Sequence, residues 1–201
     1  DNAKEAALVD GIKVFGVESL KELLSHLDGK KLIPRQPKTV FDKSTEELLT
    51  DFSDVRGQER AKRGLLIAAA GGHNVAMYGP PGTGKTMLAK AFASILPPLT
   101  FDEALEATSI HSVAGVLKQF IVNPPFRSPH HTSSYVSLVG GGTTPKPGEV
   151  TLAHRGVLFM DEFPEFERRV IESLRQPLED KVISVARAKG TARFPADVIL
   201  G

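Results

Sequence analysis

The 201-residue sequence contains no cysteine and no tryptophan. Without thiols there are no disulfides, thiolate nucleophiles or thiolate metal sites, a composition that fits a reducing compartment. Stacking platforms are reduced to 11 Phe and 2 Tyr. Net charge is nearly absent as well. The 25 Lys+Arg against 24 Asp+Glu leave +1, so no whole-chain field draws the protein to polyanions and any nucleic-acid contact has to be local. No apolar run reaches the ~20 residues that a bilayer span requires, and no basic-then-apolar leader opens the chain. These absences predict no membrane partner and a soluble, cytoplasmic protein; 41% hydrophobic and 24% charged residues are ordinary for a globular chain. The sequence opens on Asp1-Asn2 and stops within the apolar run Val198-Ile199-Leu200-Gly201, and it is expected to be an excised piece of something longer.

Residues 11–17 alternate loosely as a strand, and Leu20, Leu23, Leu24 and Leu27 then fall on one helical face, with Ser19 and Glu22 as a capping box and Gly29 as the stop. From Lys30 the pattern dissolves into a basic, proline-broken stretch containing Pro34 and Pro37. The expected organisation is a first segment 1–29, a linker 30–50 and a main domain 51–201. In the main domain a helix is expected over 58–70, a buried strand over 74–78, a helix over 86–95 closed by Pro97-Pro98, and a helix over 101–108 opened by the Thr100/Glu103 capping box. Between about 109 and 155 Gly, Pro, Ser, Thr and His predict mainly loops or hairpins. A strand over 157–160, a helix near 166–176 and two short strands, 182–187 and 191–194, complete the chain. Val75, Ala76, Met77, Val157, Leu158, Phe159, Leu65, Leu88, Ile171 and Leu174 are the expected core.

The chemistry is concentrated at two places. Gly79-Pro80-Pro81-Gly82-Thr83-Gly84-Lys85-Thr86 matches G-x-x-x-x-G-K-[ST] between an expected strand and an expected helix. Glycines there let consecutive N–H groups form a nest for phosphate oxygens, the helix N-terminus adds partial positive charge, Lys85 reaches the β/γ-phosphates and Thr86 ligates Mg²⁺. The second place is Asp161-Glu162, at the end of an apolar strand. In such a site the Asp helps to hold Mg²⁺, and an adjacent carboxylate positions and deprotonates the attacking water. ATP and Mg²⁺ are therefore the expected cofactors, with Lys85, Asp161 and Glu162 catalytic.

GPPGTGKT with its hydrophobic-DE strand, preceded by Val55-Arg56-Gly57-Gln58, resembles the AAA+ ATPases. FRSPHHT (126–132), LVGGG (138–142), PGEVTLAHRGVLFMDEFPEF (147–166) and ESLRQPLED (172–180) resemble the magnesium-chelatase-like branch of that class, and more closely its ComM-type bacterial members. The match covers about 54–201, while residues 2–7 and the segment after them resemble the tail of a Lon-protease-like amino-terminal domain. The resemblance implies an α/β P-loop core, a mostly parallel sheet with helices on both faces and extra hairpins, whose sensor, arginine finger and helical lid would lie past Gly201. It adds Val55 and Gly57 to the nucleotide-binding residues. It implies ATP/ADP as ligands, a homo-oligomer, in full length a hexamer, and a motor that remodels single-stranded or branched DNA. A chelatase-type subunit driving metal insertion into a tetrapyrrole and a nucleotide-gated scaffold are the alternatives. Slow turnover by this piece follows from the arginine finger lying elsewhere.

Two weaker signals complete the reading. The expected hairpin 182–194 carries Arg187, Lys189 and Arg193 at or near its turn and no acid, which makes those three the candidate DNA contacts through phosphate. His130-His131 has no third ligand at usable spacing, and in extended backbone adjacent side chains face opposite ways, so a structural loop role is expected.

Overall fold

The computed structural model describes residues 3–9, 11–39, 50–117, 119–142, 146–187 and 190–201, and divides the chain into two compact units, Asp1–Asp42 and Lys43–Gly201. In the first unit α1 (Ala3–Ala6) is followed by α2 (Leu20–Leu27). Ser19 caps α2 by accepting the Glu22 N–H at 3.2 Å, while the Glu22 carboxylate takes the N–H of Glu18, one residue before the cap. The expected strand over 11–17 is absent, because no described segment offers it a ladder. Residues 33–39 do not form a free linker. Ile33 N–H bonds to His26 Nδ1, Gln36 N–H to the Val14 carbonyl and Thr39 N–H to the Ala7 carbonyl, which ties this proline-containing stretch back onto its own unit.

In the second unit α3 (Glu59–Gly71) buries Leu65, Ala68 and Ala69 and stops at Gly72, whose φ of 61° suits glycine. It is followed by α4 (Lys85–Ser94) and α5 (Phe101–Ala114). The Thr100/Glu103 capping box forms in full. Helix α5 runs six residues beyond its expected end at Thr108, to the true stop at Gly115. The polar residues that argued for a loop are accommodated: the Ser109 hydroxyl donates back to the Leu105 carbonyl, and the Thr108 hydroxyl accepts the Ile121 N–H.

Next come β1 (Phe126–Arg127), α6 (Tyr135–Val139), the β2 (Gly140–Gly141)/β3 (Lys146–Pro147) hairpin and α7 (Glu149–Leu152). The expected loop region thus contains two short helices, α6 being capped by Ser134. Strand β4 (Val157–Leu158) follows, and then α8 (Arg168–Ser173) and α9 (Arg175–Asp180), where one helix was expected. The break at Leu174 has a local cause. Pro177 has no N–H to give the Ser173 carbonyl. The antiparallel strands β5 (Val182–Arg187) and β6 (Gly190–Pro195) pair over six registers, and β7 (Ile199–Leu200) closes the order.

The central sheet is parallel, in the order β1-β4-β7. Its middle strand is buried on both sides. Val157 and Phe159 pack with Leu65, Leu88 and Phe92 of α3 and α4, while Leu158 and Met160 pack with Leu138, Val150, Val170 and Ile183 on the other face. Gly156 before it lets Pro125 approach closely enough for its carbonyl to accept the Val157 N–H; a Cβ would collide with Pro125. Residues 74–78 lie beside β7, with Val75 N–H bonded to the Leu200 carbonyl, but one such bond is not a ladder, and no strand forms there. That segment is half covered: Val75 and Met77 pack inward, whereas Ala76, expected in the core, is exposed with Tyr78.

Candidate nucleotide-binding site

The glycine-rich loop leaves residues 74–78 and enters α4 at Lys85, with Gly82 and Gly84 in the left-handed region at φ 78° and 80°. The loop is braced from within and from α3. The Thr83 hydroxyl donates to the Pro80 carbonyl at 2.9 Å, and Gln58 Nε2 donates to the Thr83 carbonyl at 3.0 Å. Lys85 Nζ lies across the loop, donating to the carbonyls of Gly79 and Pro80 at 3.0 and 2.9 Å. Beside it a cleft of ≈ 300 Å³ opens between α3 and residues 75–78, lined in part by Gln58, Ala61, Gly64 and Met77. Val55 is buried against the α3/α4 cluster, while Gly57, at φ 65°, has open space around it.

The second half of the site sits at the carboxyl end of β4. Sheet hydrogen bonds continue through Met160, whose N–H meets the Gly201 carbonyl, and the chain then turns out at Asp161 and Glu162. Thr86 Oγ1 donates to Asp161 Oδ2 at 2.8 Å across 75 positions of sequence, joining the start of α4 to the end of β4. Asp161 Oδ1 in turn accepts the N–H of Glu162, a residue held at φ 56°. A hydroxyl and a carboxylate oxygen are the hard donors that Mg²⁺ prefers, and one or two protein ligands beside phosphate oxygens and water are its usual complement. Among the described residues no cluster of three His, Cys, Asp or Glu is built that could form an all-protein metal cage.

The reading of His130-His131 needs correction. The backbone there is not extended: Ser133 N–H closes a turn on the His130 carbonyl at 2.9 Å, and the rings lie 4.1 Å apart on the same side. His131 Nδ1 comes within 3.1 Å of Glu162 Oε2. The signal that could have found it is position. A histidine shortly after a strand adjacent to β4 arrives at the same sheet edge as the acidic pair.

Arg187 and Arg193 belong to β5 and β6, Arg193 opposite Ser184 and exposed, while Lys189 lies outside the described residues. At the opposite end of β4 a charged cluster has formed. Arg155, at φ 63°, reaches Glu103, Glu106 and Asp197 at 3.6, 3.1 and 3.3 Å. Buried His154 accepts the Asp197 N–H on Nδ1 at 3.0 Å, so its proton sits on Nε2, which lies 3.1 Å from Glu106 Oε2 at an angle short of hydrogen-bond geometry. Burial lowers the His154 pKa below its ordinary 6.5, against the opposing pull of Glu106. Burial would raise Glu106, but contacts with His154 and Arg155 hold it below the usual carboxyl range.

A parallel sheet carrying a glycine-rich loop at the start of a helix and an acidic pair at the end of an inner strand defines a P-loop core of the AAA+ class. Residues 51–200 match the family described as magnesium chelatase, subunit ChlI, and the chain belongs to that family. It is 47% identical over 199 residues to the uncharacterized protein YifB of Escherichia coli (strain K12), covering 98% of this chain and 39% of that one. With the competence protein ComM of Haemophilus influenzae it shares 45% identity over 200 residues, or 97% of this chain and 39% of the relative. The chain thus spans about two fifths of the length of these curated relatives. Among solved structures, a cryo-EM-based model of the complex between subunits BchI and BchD of magnesium chelatase aligns with TM-score 0.60 and 26% identity over 77% of this chain and 54% of that one. NtrX from Brucella abortus in complex with ADP aligns with TM-score 0.51 at 21% identity over 73% of this chain and 29% of that one, a likeness of fold alone. No helix among the described residues is long and apolar enough to cross a membrane.

Proposed function

We propose that this chain supplies the nucleotide-hydrolysing core of an ATP-driven motor that remodels single-stranded or branched DNA, working in the whole protein as a homo-oligomeric ring, a hexamer. The observation that carries the ATPase reading is the 2.8 Å contact between Thr86 and Asp161, which brings the end of the phosphate loop to the acidic pair. The N–H groups of Gly82 to Thr86 and the N-terminus of α4 receive the phosphates, with Gly79, Pro80 and Pro81 shaping the loop and Val55 and Gly57 as further nucleotide-binding residues. Lys85 exchanges its loop carbonyls for β/γ-phosphate oxygens. Thr86 and Asp161 hold Mg²⁺, which when bound neutralises developing phosphate charge. Glu162 accepts a proton from water as the water oxygen bonds to the γ-phosphorus and the bond to the β-phosphate bridge oxygen breaks, leaving ADP and inorganic phosphate. Residues 1–29 would be the tail of an amino-terminal domain of Lon-protease-like type, a reading with which the exposed Leu20, Leu24 and Leu27 on α2 are compatible.

The DNA reading is supported by the β5–β6 hairpin and by the 45% identity with a protein named for competence. A chelatase-type role is the second reading, supported by the TM-score of 0.60 with the BchI–BchD complex. The deciding experiment uses the whole protein with Arg187→Ala and Lys189→Ala combined. Affinity for branched DNA should fall, and the slope of log affinity against log salt should flatten by about one to two units, with ATP binding intact. Equal affinity and slope in variant and parent remove the hairpin from the DNA path. Metallation of a porphyrin with no DNA-stimulated turnover favours the chelatase role instead.

A further inference from the structure

Gln58 opens α3 in a conformation that suits its residue type on neither count. Its carbonyl accepts the first helical bond, from the Lys62 N–H at 2.9 Å, so it stands at the N-cap, yet its side chain makes no capping bond. Serine, threonine, aspartate and asparagine are the residues that cap helices, and glutamine is not among them. Its φ of 59° lies in the left-handed region, which glycine or asparagine enters at lower cost, and Gly57 before it stands at φ 65°. A side chain that strains the backbone and does not cap the helix has its use elsewhere. It reaches the glycine-rich loop: Nε2 donates to the Thr83 carbonyl at 3.0 Å, across 25 positions of sequence. The arm has a firm base, since Leu65, Ala68 and Ala69 bury one face of α3 in the core.

The Thr83 carbonyl shares a peptide plane with the Gly84 N–H. In a trans peptide the two point in opposite directions, and among the described residues no peptide bond is cis. Gly84, at φ 80°, tolerates either sign of φ, so its residue type leaves this peptide free to flip and to present a carbonyl oxygen where an N–H had been. The Thr83 hydroxyl, bonded to the Pro80 carbonyl, holds its own side chain and not that plane. We propose that Gln58 is a positioning residue for nucleotide binding: by gripping the Thr83 carbonyl from α3 it keeps the Gly84 N–H, and not a carbonyl oxygen, turned to the phosphates. The inference rests on the reading of Gly79 to Thr86 as a phosphate loop, and it adds the start of α3 to the parts that set affinity.

The test is nucleotide binding by calorimetry, steady-state ATP turnover and the melting temperature of the nucleotide-free whole protein in three variants. Gln58→Met keeps the length of the side chain without a donor. Gln58→Gly removes the arm and relieves the left-handed backbone, and Gln58→Asn also suits that backbone but is one methylene too short to reach. All three should bind ADP and ATP about 3- to 10-fold more weakly, the loss of one hydrogen bond, with KM raised to match and kcat within about twofold of the parent, because the cradle serves ground state and transition state alike. The melting temperature of the Gly and Asn variants should hold or rise, so that affinity falls without a loss of stability, which a merely structural residue does not produce. Parent-like affinity in any of the three, a fall in affinity accompanied by a fall in melting temperature in the Gly and Asn variants, or a loss confined to kcat overturns the inference. If Lys85→Ala itself retains nucleotide affinity, the phosphate-loop reading has failed, a result distinct from an ordinary Lys85→Ala loss beside an unaffected Gln58→Met.

Discussion

Strand β4 carries charged residues at both ends, and the two ends are built differently. At its amino end Arg155 meets three carboxylates, Lys181 adds a further contact to Asp197 at 3.0 Å, and His154 accepts the Asp197 N–H on Nδ1 with Glu106 3.1 Å from Nε2. At its carboxyl end Asp161 and Glu162 each meet one side chain, Thr86 and His131, and both carboxylates keep lone pairs to spare. The amino end is closed on itself and pins α5 and the approach to β7 to the sheet. The carboxyl end retains coordinating capacity beside a loop of positive-φ glycines. Dense mutual pairing marks charge used for structure, and sparse pairing at a sheet edge marks charge reserved for a ligand.

Substitutions should separate the two ends. The largest effect is expected from Lys85→Ala, which removes the cation that lies across the glycine-rich loop: ATP affinity measured by calorimetry should fall at least about 100-fold, with little change in melting temperature. Retained affinity would mean that the loop binds no nucleotide. Next comes Glu162→Gln in the whole protein, where the amide cannot take a proton from water. Turnover should drop about 100-fold or more while nucleotide binding persists, and an unchanged rate would remove Glu162 from the chemistry.

The amino end should respond in stability instead. Arg155→Ala is expected to cost about 1 kcal/mol in chemical denaturation, since its partners are partly exposed and solvent screens them, and to leave nucleotide affinity unchanged. Arg155→Gly should cost less than Ala, because glycine accepts the positive φ that either side chain must endure. A change in nucleotide affinity in either variant would blur the contrast between the ends.

The smallest effect is a slope. His154 is held neutral in the folded state by burial, so its contribution is present above the unfolded value near 6.5 and is lost as pH falls below it, when the unfolded chain takes up the proton first. Melting temperature should therefore decline from pH 7 towards pH 5, below the one-proton limit of about 1.4 kcal/mol per pH unit, with Glu106 adding to the loss only below about 4.5. His154→Asn keeps an acceptor for the Asp197 N–H and should flatten the curve; an unchanged slope would assign the acid sensitivity elsewhere.

Much of the site was legible because its signals are local. Gly79 to Thr86 declares a glycine turn into a helix by residue type and spacing, the Thr100/Glu103 box declares a helix start, and the apolar run 157–160 ending in acid declares a buried strand. What escaped depends on contacts distant in sequence or on turns that composition does not distinguish. Ser109 and Ser112 argued for a loop while Gly115 set the real end of α5. The segments that became α6 and α7 are too short for periodicity to register. His131 was judged from an extended backbone, whereas its meeting with Glu162, 31 positions away, follows from β1 lying beside β4. Ala76 failed as a core residue because burial on a half-covered segment depends on which neighbours arrive, not on the side chain's own hydrophobicity.

The β5–β6 hairpin has a mechanical consequence. Its ladder from the Val182↔Pro195 pair to the Arg187↔Gly190 pair makes five steps of about 3.4 Å, an arm about 17 Å long. The arm is clamped at its root, where Ala196 N–H bonds to the Lys181 carbonyl and Asp197 is gripped by His154 and Arg155, two residues before β7 joins the sheet. The arm is long for so short a pairing, and among the described residues its far end is joined to the sheet only through this root. The hairpin therefore turns an angular change of about 10° at the sheet edge into about 3 Å of travel at its far end.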